Sequence, residues 1–199
     1  MRKLKLQMFM SIDGFIAGPN GEQADETLST EPPPESEIDE EMENYILSTI
    51  DTSDTILLGR KTVNEFVTYW ENIANNQPEH PEFELAKKLV ATPKVVFSKT
   101  LKESIWDNTT LASGNIIDEI NRLKNQIGKD MIAYGGGGFA SSLIKEGLID
   151  EYYLFFNAHA IGQGMPIFHR LTQPLYLDLK SVTAFNNGVV LHVYEPKRD

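Results

Sequence analysis

The chain contains no cysteine. Disulfides, thiol nucleophiles, iron–sulfur ligation and cysteine-based zinc sites are excluded together. No apolar run approaches the roughly 18 residues that a membrane span needs. Cations are missing from one long stretch: no Lys or Arg lies between Lys5 and Arg60, where thirteen Asp or Glu fall. The net charge of −11 argues against a general nucleic-acid or anionic-membrane surface, because like charges repel phosphate. The remaining residues carry 18 basic and 16 acidic groups, so a small phosphorylated ligand can still be held locally. The four histidines show no metal-ligand spacing, and no metal is assigned. The opening segment MRKLKLQMFM is basic and partly apolar, but Gln7 and Asp13 interrupt it before a signal-peptide core forms. A soluble cytoplasmic protein is expected.

What is present suits one compact domain. The chain has 199 residues, is 41% apolar and carries ten Phe and seven Tyr. A single domain over 1–199 is expected, with residues 22–36 forming an acidic, proline-rich insert. Lys3 to Met10 alternates, with Leu4, Leu6, Met8 and Met10 on one face of a strand. Ser11 to Gly21 is rich in turn formers. Ile38, Met42, Tyr45, Ile46 and Ile50 recur at helical spacing, with Ser36 as the predicted N-cap. Thr55 to Leu58 reads as a buried strand, followed by a helix with Val63, Phe66, Val67 and Trp70 on one face. Lys94 to Phe97 is a strand after a proline-containing connection. A helix is predicted from Asn115 through Ile127 to a terminal Gly128. Met131 to Tyr134 is a strand, and four glycines open a helix that Gly147 stops. Tyr152 to Phe156 is a strand. Leu175 to Thr183 and Val189 to Tyr194 flank Asn186-Asn187-Gly188, a strong hairpin signal. Strands alternating with helices predict an α/β fold with a mostly parallel twisted sheet, helices on both faces and an antiparallel C-terminal hairpin.

Four segments carry candidate chemistry. Gly59-Arg60-Lys61-Thr62 joins a strand to a helix, where free N–H groups and the helix dipole bind phosphate. A capped helix with two solvated cations is the plainer alternative. Gly135-Gly136-Gly137-Gly138 also lies between strand and helix. Four glycines are entropically expensive, and close approach of a ligand to the backbone explains them; tight helix–strand packing is the alternative. Ser98 and Lys99, at a strand end, offer a hydroxyl and an ammonium to a ribose or its 2′-phosphate, or form a polar turn. Asp13, before Gly14, is either a catalytic carboxylate or an ordinary turn residue. On the acidic helix, Asp39, Glu40 and Glu43 read as a wet face unless one points inward to donate a proton.

Taken in order, these segments resemble the dihydrofolate-reductase-like superfamily. The closer likeness is to its branch containing the reductase domain of the riboflavin-biosynthesis deaminase–reductase. The matching pieces are Ser11 to Ala17, Asp54 to Thr62, Val95 to Lys99, Tyr134 to Phe139, Gly147 to Glu151, Gly162-Gln163-Gly164 with Ile167-Phe168, and the closing hairpin. They span nearly all of the chain outside 22–36. Ala158 and His159 stand where the family usually has Pro-Val, and no deaminase zinc signature is present. The resemblance implies a reductase fold that binds NADPH along the carboxyl edge of the sheet. It places Ile16 and Ala17 by the nicotinamide and Gly59, Arg60, Lys61 and Thr62 at the pyrophosphate and 2′-phosphate. Ser98 and Lys99 would flank the adenine ribose, and Gly135, Gly136, Gly137, Gly138 and Phe139 would meet the pyrophosphate and nicotinamide ribose. It also implies a homodimer.

The function expected is hydride transfer from NADPH to a small heterocyclic or carbonyl/imine substrate. The activity would be like that of 5-amino-6-(5-phosphoribosylamino)uracil reductase or dihydrofolate reductase. Asp13 leads as proton donor or orienter and Glu43 follows. Two alternatives stand beside it. One is a non-catalytic NADPH-binding module. The other is a short-chain-dehydrogenase-like fold, disfavoured because the glycines come two-thirds along the chain and no Tyr-x-x-x-Lys pair is present.

Overall fold

The computed structural model describes residues 1–19 and 39–197. The predicted insert at 22–36, its three prolines and the predicted N-cap Ser36 lie outside those residues. Eight strands form one sheet: β1 (Leu4–Ser11), β3 (Ser53–Gly59), β4 (Lys94–Phe97), β5 (Thr109–Ala112), β6 (Asp130–Tyr134), β7 (Glu151–Asn157), β9 (Leu177–Ala184) and β10 (Val190–Pro196). Their order is β5-β4-β3-β6-β1-β7-β10-β9. Every pair from β5 to β7 is parallel, and β10 joins β7 and β9 antiparallel. Two short strands, β2 (Phe15–Ala17) and β8 (Met165–Pro166), pair separately.

Among the described residues, five helices cover the sheet: α1 (Glu40–Asp51), α2 (Val63–Asn76), α3 (Phe83–Ala91), α4 (Ile116–Lys124) and α5 (Gly137–Lys145). Ile46, Ile50, Val63, Val67, Leu85 and Leu89 bring α1, α2 and α3 onto one face. Ile120, Leu123, Leu143 and Ile144 bring α4 and α5 onto the other. The predicted α/β architecture is therefore present, with its antiparallel end. The first strand is central, so both of its faces are buried. Its alternation reflects residue choice on two covered faces.

Several local expectations need correcting. α1 is capped by Asp39, not Ser36: the Asp39 side chain accepts the amides of Glu41 and Met42. The helix read as ending at Ile127 and Gly128 stops at Lys124, with Asn125 as its C-cap. Ile127 is fully exposed. Gly128 has a different role, since a Cβ there would meet Asp54 and the Arg2 guanidinium. The connection read as merely proline-containing holds α3, whose nine residues were too few to stand out beside Pro78 and Pro81. β2, β5 and β8 are too short for an alternating pattern to register.

The terminal hairpin forms as predicted. Phe185 N–H reaches Val189 O, and Gly188 turns the chain at φ +86°. A tertiary contact fixes it: Asp39 Oδ2 accepts Asn186 N–H at 2.5 Å and Asn187 N–H at 3.2 Å. Burial alone would push the Asp39 carboxyl up, but the amides of Met42, Asn187, Asn186 and Glu41 outweigh it and hold the pKa below the usual carboxylate range.

Candidate functional site at the carboxyl edge

Parallel pairing brings four loops to one edge. β4, β3, β6 and β1 lie side by side, and the segments after them are Ser98-Lys99, Gly59 to Thr62, Gly135 to Phe139, and Ile12 to Ala17. The chain leaves neighbouring strands β3 and β6 toward opposite faces, through α2 and α5. A crevice opens where crossovers diverge in this way, and ligands of open α/β sheets bind in it.

The two helix starts flanking the crevice touch each other. Neither α2 nor α5 has a side-chain N-cap hydrogen bond. In α5 the Phe139 amide turns back to Gly136 O at 2.7 Å, and the Gly137 and Gly138 amides, with the positive dipole ends of both helices, are left for an anion. Gly135 and Gly136 adopt φ +48° and +75°, in the left-handed region where glycine is favoured. A Cβ on Gly136 would stand 2.6 Å from Thr62 Oγ1, and one on Gly59 would stand 2.9 Å from Phe139 Cβ. Gly137 is covered by Met165 Sδ and Ile16 Cδ1, which brings the β2–β8 pair onto the start of α5. Gly138 differs: a Cβ there would enter open space. The four glycines thus divide their work. Two set the turn, one admits close packing and one keeps the helix start bare. Arg60 and Lys61 are exposed and make no ion pair among the described residues.

One strand further out is a cavity of about 250 Å³ lined by Phe97, Ser98, Lys99, Ala112, Gly114, Asn115, Ile116 and Ser142. Ser98 and Lys99 line it just after the end of β4. The Ser98 hydroxyl also accepts the amides of Thr100 and Leu101, so it builds the turn at the cavity wall. Gly114, Asn115, Ile116 and Ser142 were missed. Asn115 caps α4 by accepting Ile117 N–H at 2.9 Å, and that cap was legible in the sequence. Its position beside Lys99 was not, because it depends on β5 pairing with β4.

Asp13 is held in the loop after β1. Its Oδ1 accepts the Ser11 hydroxyl at 2.5 Å, and its Oδ2 accepts Gly162 N–H at 2.8 Å. The Ser11 hydrogen bond first, then the amides of Gly162 and Ile161, hold its pKa below the usual range. Asp13 therefore stays ionised and ties the β1 loop to the loop before β8. Glu43 has the opposite character. Burial first, then the charge of Glu82 and a hydrogen bond with it, push the Glu43 carboxyl up to about 8. It is an acid that keeps its proton in neutral solution. Among the described residues no group of three or more His, Asp or Glu could hold a metal ion. No helix among them is long and apolar enough to cross a membrane.

The carboxyl edge of an open, mostly parallel sheet thus carries two helix starts without side-chain caps, in a fold shared with solved proteins of the riboflavin-biosynthesis reductase type. The chain belongs to the RibD C-terminal domain family, whose model matches residues 2–191. It is 33% identical over 193 residues to the uncharacterized protein YyaP of Bacillus subtilis strain 168, an alignment spanning 97% of this chain and 94% of that one. A Shewanella sp. PV-4 protein named for riboflavin biosynthesis superposes with a TM-score of 0.72 at 20% identity, over the whole of both chains. The diaminohydroxyphosphoribosylaminopyrimidine deaminase/5-amino-6-(5-phosphoribosylamino)uracil reductase of Thermotoga maritima gives a TM-score of 0.66 at 14% identity. That match covers 98% of this chain and 57% of the longer protein. These two structural likenesses concern the fold.

Proposed function

We propose that this chain is an NADPH-dependent reductase of a small heterocyclic or carbonyl/imine substrate, resembling a pyrimidine reductase. The observation that carries the reading is the meeting of two uncapped helix starts at one crevice, with Arg60 and Lys61 beside it and Lys99 at the neighbouring cavity. The crevice fits the cofactor: positive-φ glycines, a bare Gly138 and the Gly137 and Gly138 amides suit a pyrophosphate in close contact with main chain. The cofactor, when bound, supplies the hydride.

The chain's own residues do the rest. Gly135 to Phe139 and Gly59 to Thr62 hold the pyrophosphate. Lys99 and the start of α4 hold the adenosine end. The main chain of Ile16 and Ala17, steadied through Asp13, orients the nicotinamide carboxamide. Of the two acids named from the sequence, Glu43 is the one that carries a proton to give, while Asp13 positions the loop.

Titration of Trp fluorescence with NADPH and NADH tests the cofactor. Tighter binding of NADPH is expected, because the 2′-phosphate gains from the nearby cations. Arg60→Ala should weaken NADPH binding by about 1.5–3 kcal/mol, the range for a charged hydrogen bond. Equal affinity for the two cofactors would overturn the choice of NADPH. The rival reading, a binding module without turnover, draws on the commitment of Asp13 to loop structure. Saturable NADPH oxidation with any member of a heterocycle and imine panel would eliminate it.

The chain is also proposed to form a homodimer through β9. Among the described residues this edge strand has one side unpaired, and it exposes Leu179 and Val182. Sedimentation should give twice the chain mass, and Leu179→Glu with Val182→Glu should give the monomer. A monomeric parent protein would refute the assignment.

A further inference from the structure

The segment after β8 brings a cation to the cavity beside β4. Arg170 Nη1 donates to Ser142 Oγ at 2.9 Å, and Ser142, in the second turn of α5, lines that cavity together with Ser98, Lys99 and Asn115. The Ser142 hydroxyl donates its own proton to Gly138 O at 2.8 Å, so it meets the guanidinium as an acceptor. The preceding residue fastens the same segment: His169 Nδ1 lies 2.7 Å from Pro166 O and 3.3 Å from Ser141 Oγ. Two successive residues after β8 thus contact two successive serines of α5, which limits where the Arg170 head can go. The cavity itself is short of negative charge. Its lining contains no Asp or Glu, although the chain carries a net charge of −11. Glu119, packed against Gly114 of the lining, is engaged by Arg122 at 2.9 Å. Among the described residues neither Lys99 nor Arg170 has a carboxylate partner, and the bond to Ser142 leaves most of the guanidinium donors unused.

We propose that Arg170 is a cofactor-selecting residue: held by Ser142, it joins Lys99 in gripping the 2′-phosphate at the adenosine end, and this double grip sets the preference for NADPH over NADH. The inference rests on the reductase reading and adds to it a residue that neither glycine-containing phosphate loop supplies. A planar fork with spare donors matches the oxygens of a phosphate. In dinucleotide-binding folds an arginine near the adenosine ribose accommodates that phosphate. Size agrees with one end of a dinucleotide: the cavity holds about 250 Å³, below the roughly 300–1,000 Å³ that whole small ligands occupy. Phe97 and Ile116 offer apolar surface to a flat base. Arg60 and Lys61 then serve the pyrophosphate at the crevice.

The test compares the parent chain with Arg170→Gln, titrating each with NADPH, NADH, adenosine 2′,5′-bisphosphate and 5′-AMP by calorimetry. The glutamine amide can still donate to Ser142 Oγ, so the segment stays fastened while its charge is lost. NADPH and the bisphosphate should bind about tenfold more weakly to the variant, the fold-change of one charged hydrogen bond. NADH and 5′-AMP lack the 2′-phosphate and should bind as they do to the parent. Full selectivity for NADPH retained in Arg170→Gln would overturn the proposal and leave the reductase reading intact. An equal loss for all four ligands would also overturn it, by showing that Arg170 supports α5 without touching a phosphate. A parent chain that binds NADPH no better than NADH would overturn the proposal and the choice of NADPH together.

Discussion

Replacing Asp150 by alanine should lower the unfolding temperature by about 10 °C. Asp150 Oδ2 accepts the Lys124 ammonium at 2.5 Å and Leu4 N–H at 2.8 Å. The Lys124 and Asp150 side chains are only 8% and 13% exposed, beside Leu4, Leu123, Leu148 and Ile149. Lys124 keeps one other partner, the Leu148 carbonyl at 2.8 Å. Without Asp150 a buried ammonium faces apolar side chains with a single neutral acceptor, and the Leu4 amide loses its bond. Breaking a buried pair from one side costs about 3–5 kcal/mol. In a domain of this size each kcal/mol moves the transition by about 2–4 °C. The pair itself is a weaker source of stability than this loss suggests, because pairing offsets a large desolvation cost. Adding Lys124→Met to the Asp150→Ala variant should therefore recover much of the loss. Thermal unfolding followed by circular dichroism checks both. A loss below about 1 kcal/mol would show that the ammonium escapes to water once its partner is gone.

The second large effect separates the folding and binding roles of the glycines. Gly136→Ala should destabilise the fold by about 2–4 kcal/mol: a left-handed φ costs an alanine about 1–2, and the clash with Thr62 Oγ1 adds an overpacking penalty. Thr62 opens α2, so relief of the clash must disturb the second helix start, and NADPH binding falls with it. Gly138→Ala should do the reverse to stability. Its Cβ meets nothing, and Ala in a helix is better than Gly by about 0.5–1 kcal/mol. The same methyl stands on the bare first turn of α5, so NADPH affinity should drop by about tenfold, or 1.4 kcal/mol. Unfolding and cofactor titration on both variants give the answer. A stabilised Gly138→Ala that binds NADPH like its parent would remove the start of α5 from the cofactor site.

Much of this was legible locally. The glycine run announced a strand-to-helix junction because only glycine takes the backbone angles seen at Gly135 and Gly136 cheaply. Asn186-Asn187-Gly188 announced its hairpin for the same reason. The strand and helix sequence was readable wherever a buried face lasted several residues, and it failed where elements were short, at α3, β5 and the β2–β8 pair. The reading of Asp13 and Glu43 was incomplete for a different reason. What Asp13 does depends on amides about 150 residues away, and the character of Glu43 depends on its burial and on Glu82, just before α3.

The sequence alone determined which segments are extended, which are helical, and where main chain stays bare, since these follow from side-chain shape, spacing and the freedom of glycine. Only the folded chain decided which of those segments meet. Strand order set Gly59 beside Gly135 and gave Lys99 its cavity with Asn115, and burial, with Glu82 nearby, raised the pKa of Glu43. Proximity between distant residues, and the loss of water that comes with it, change the charge and chemistry of a group without changing its identity.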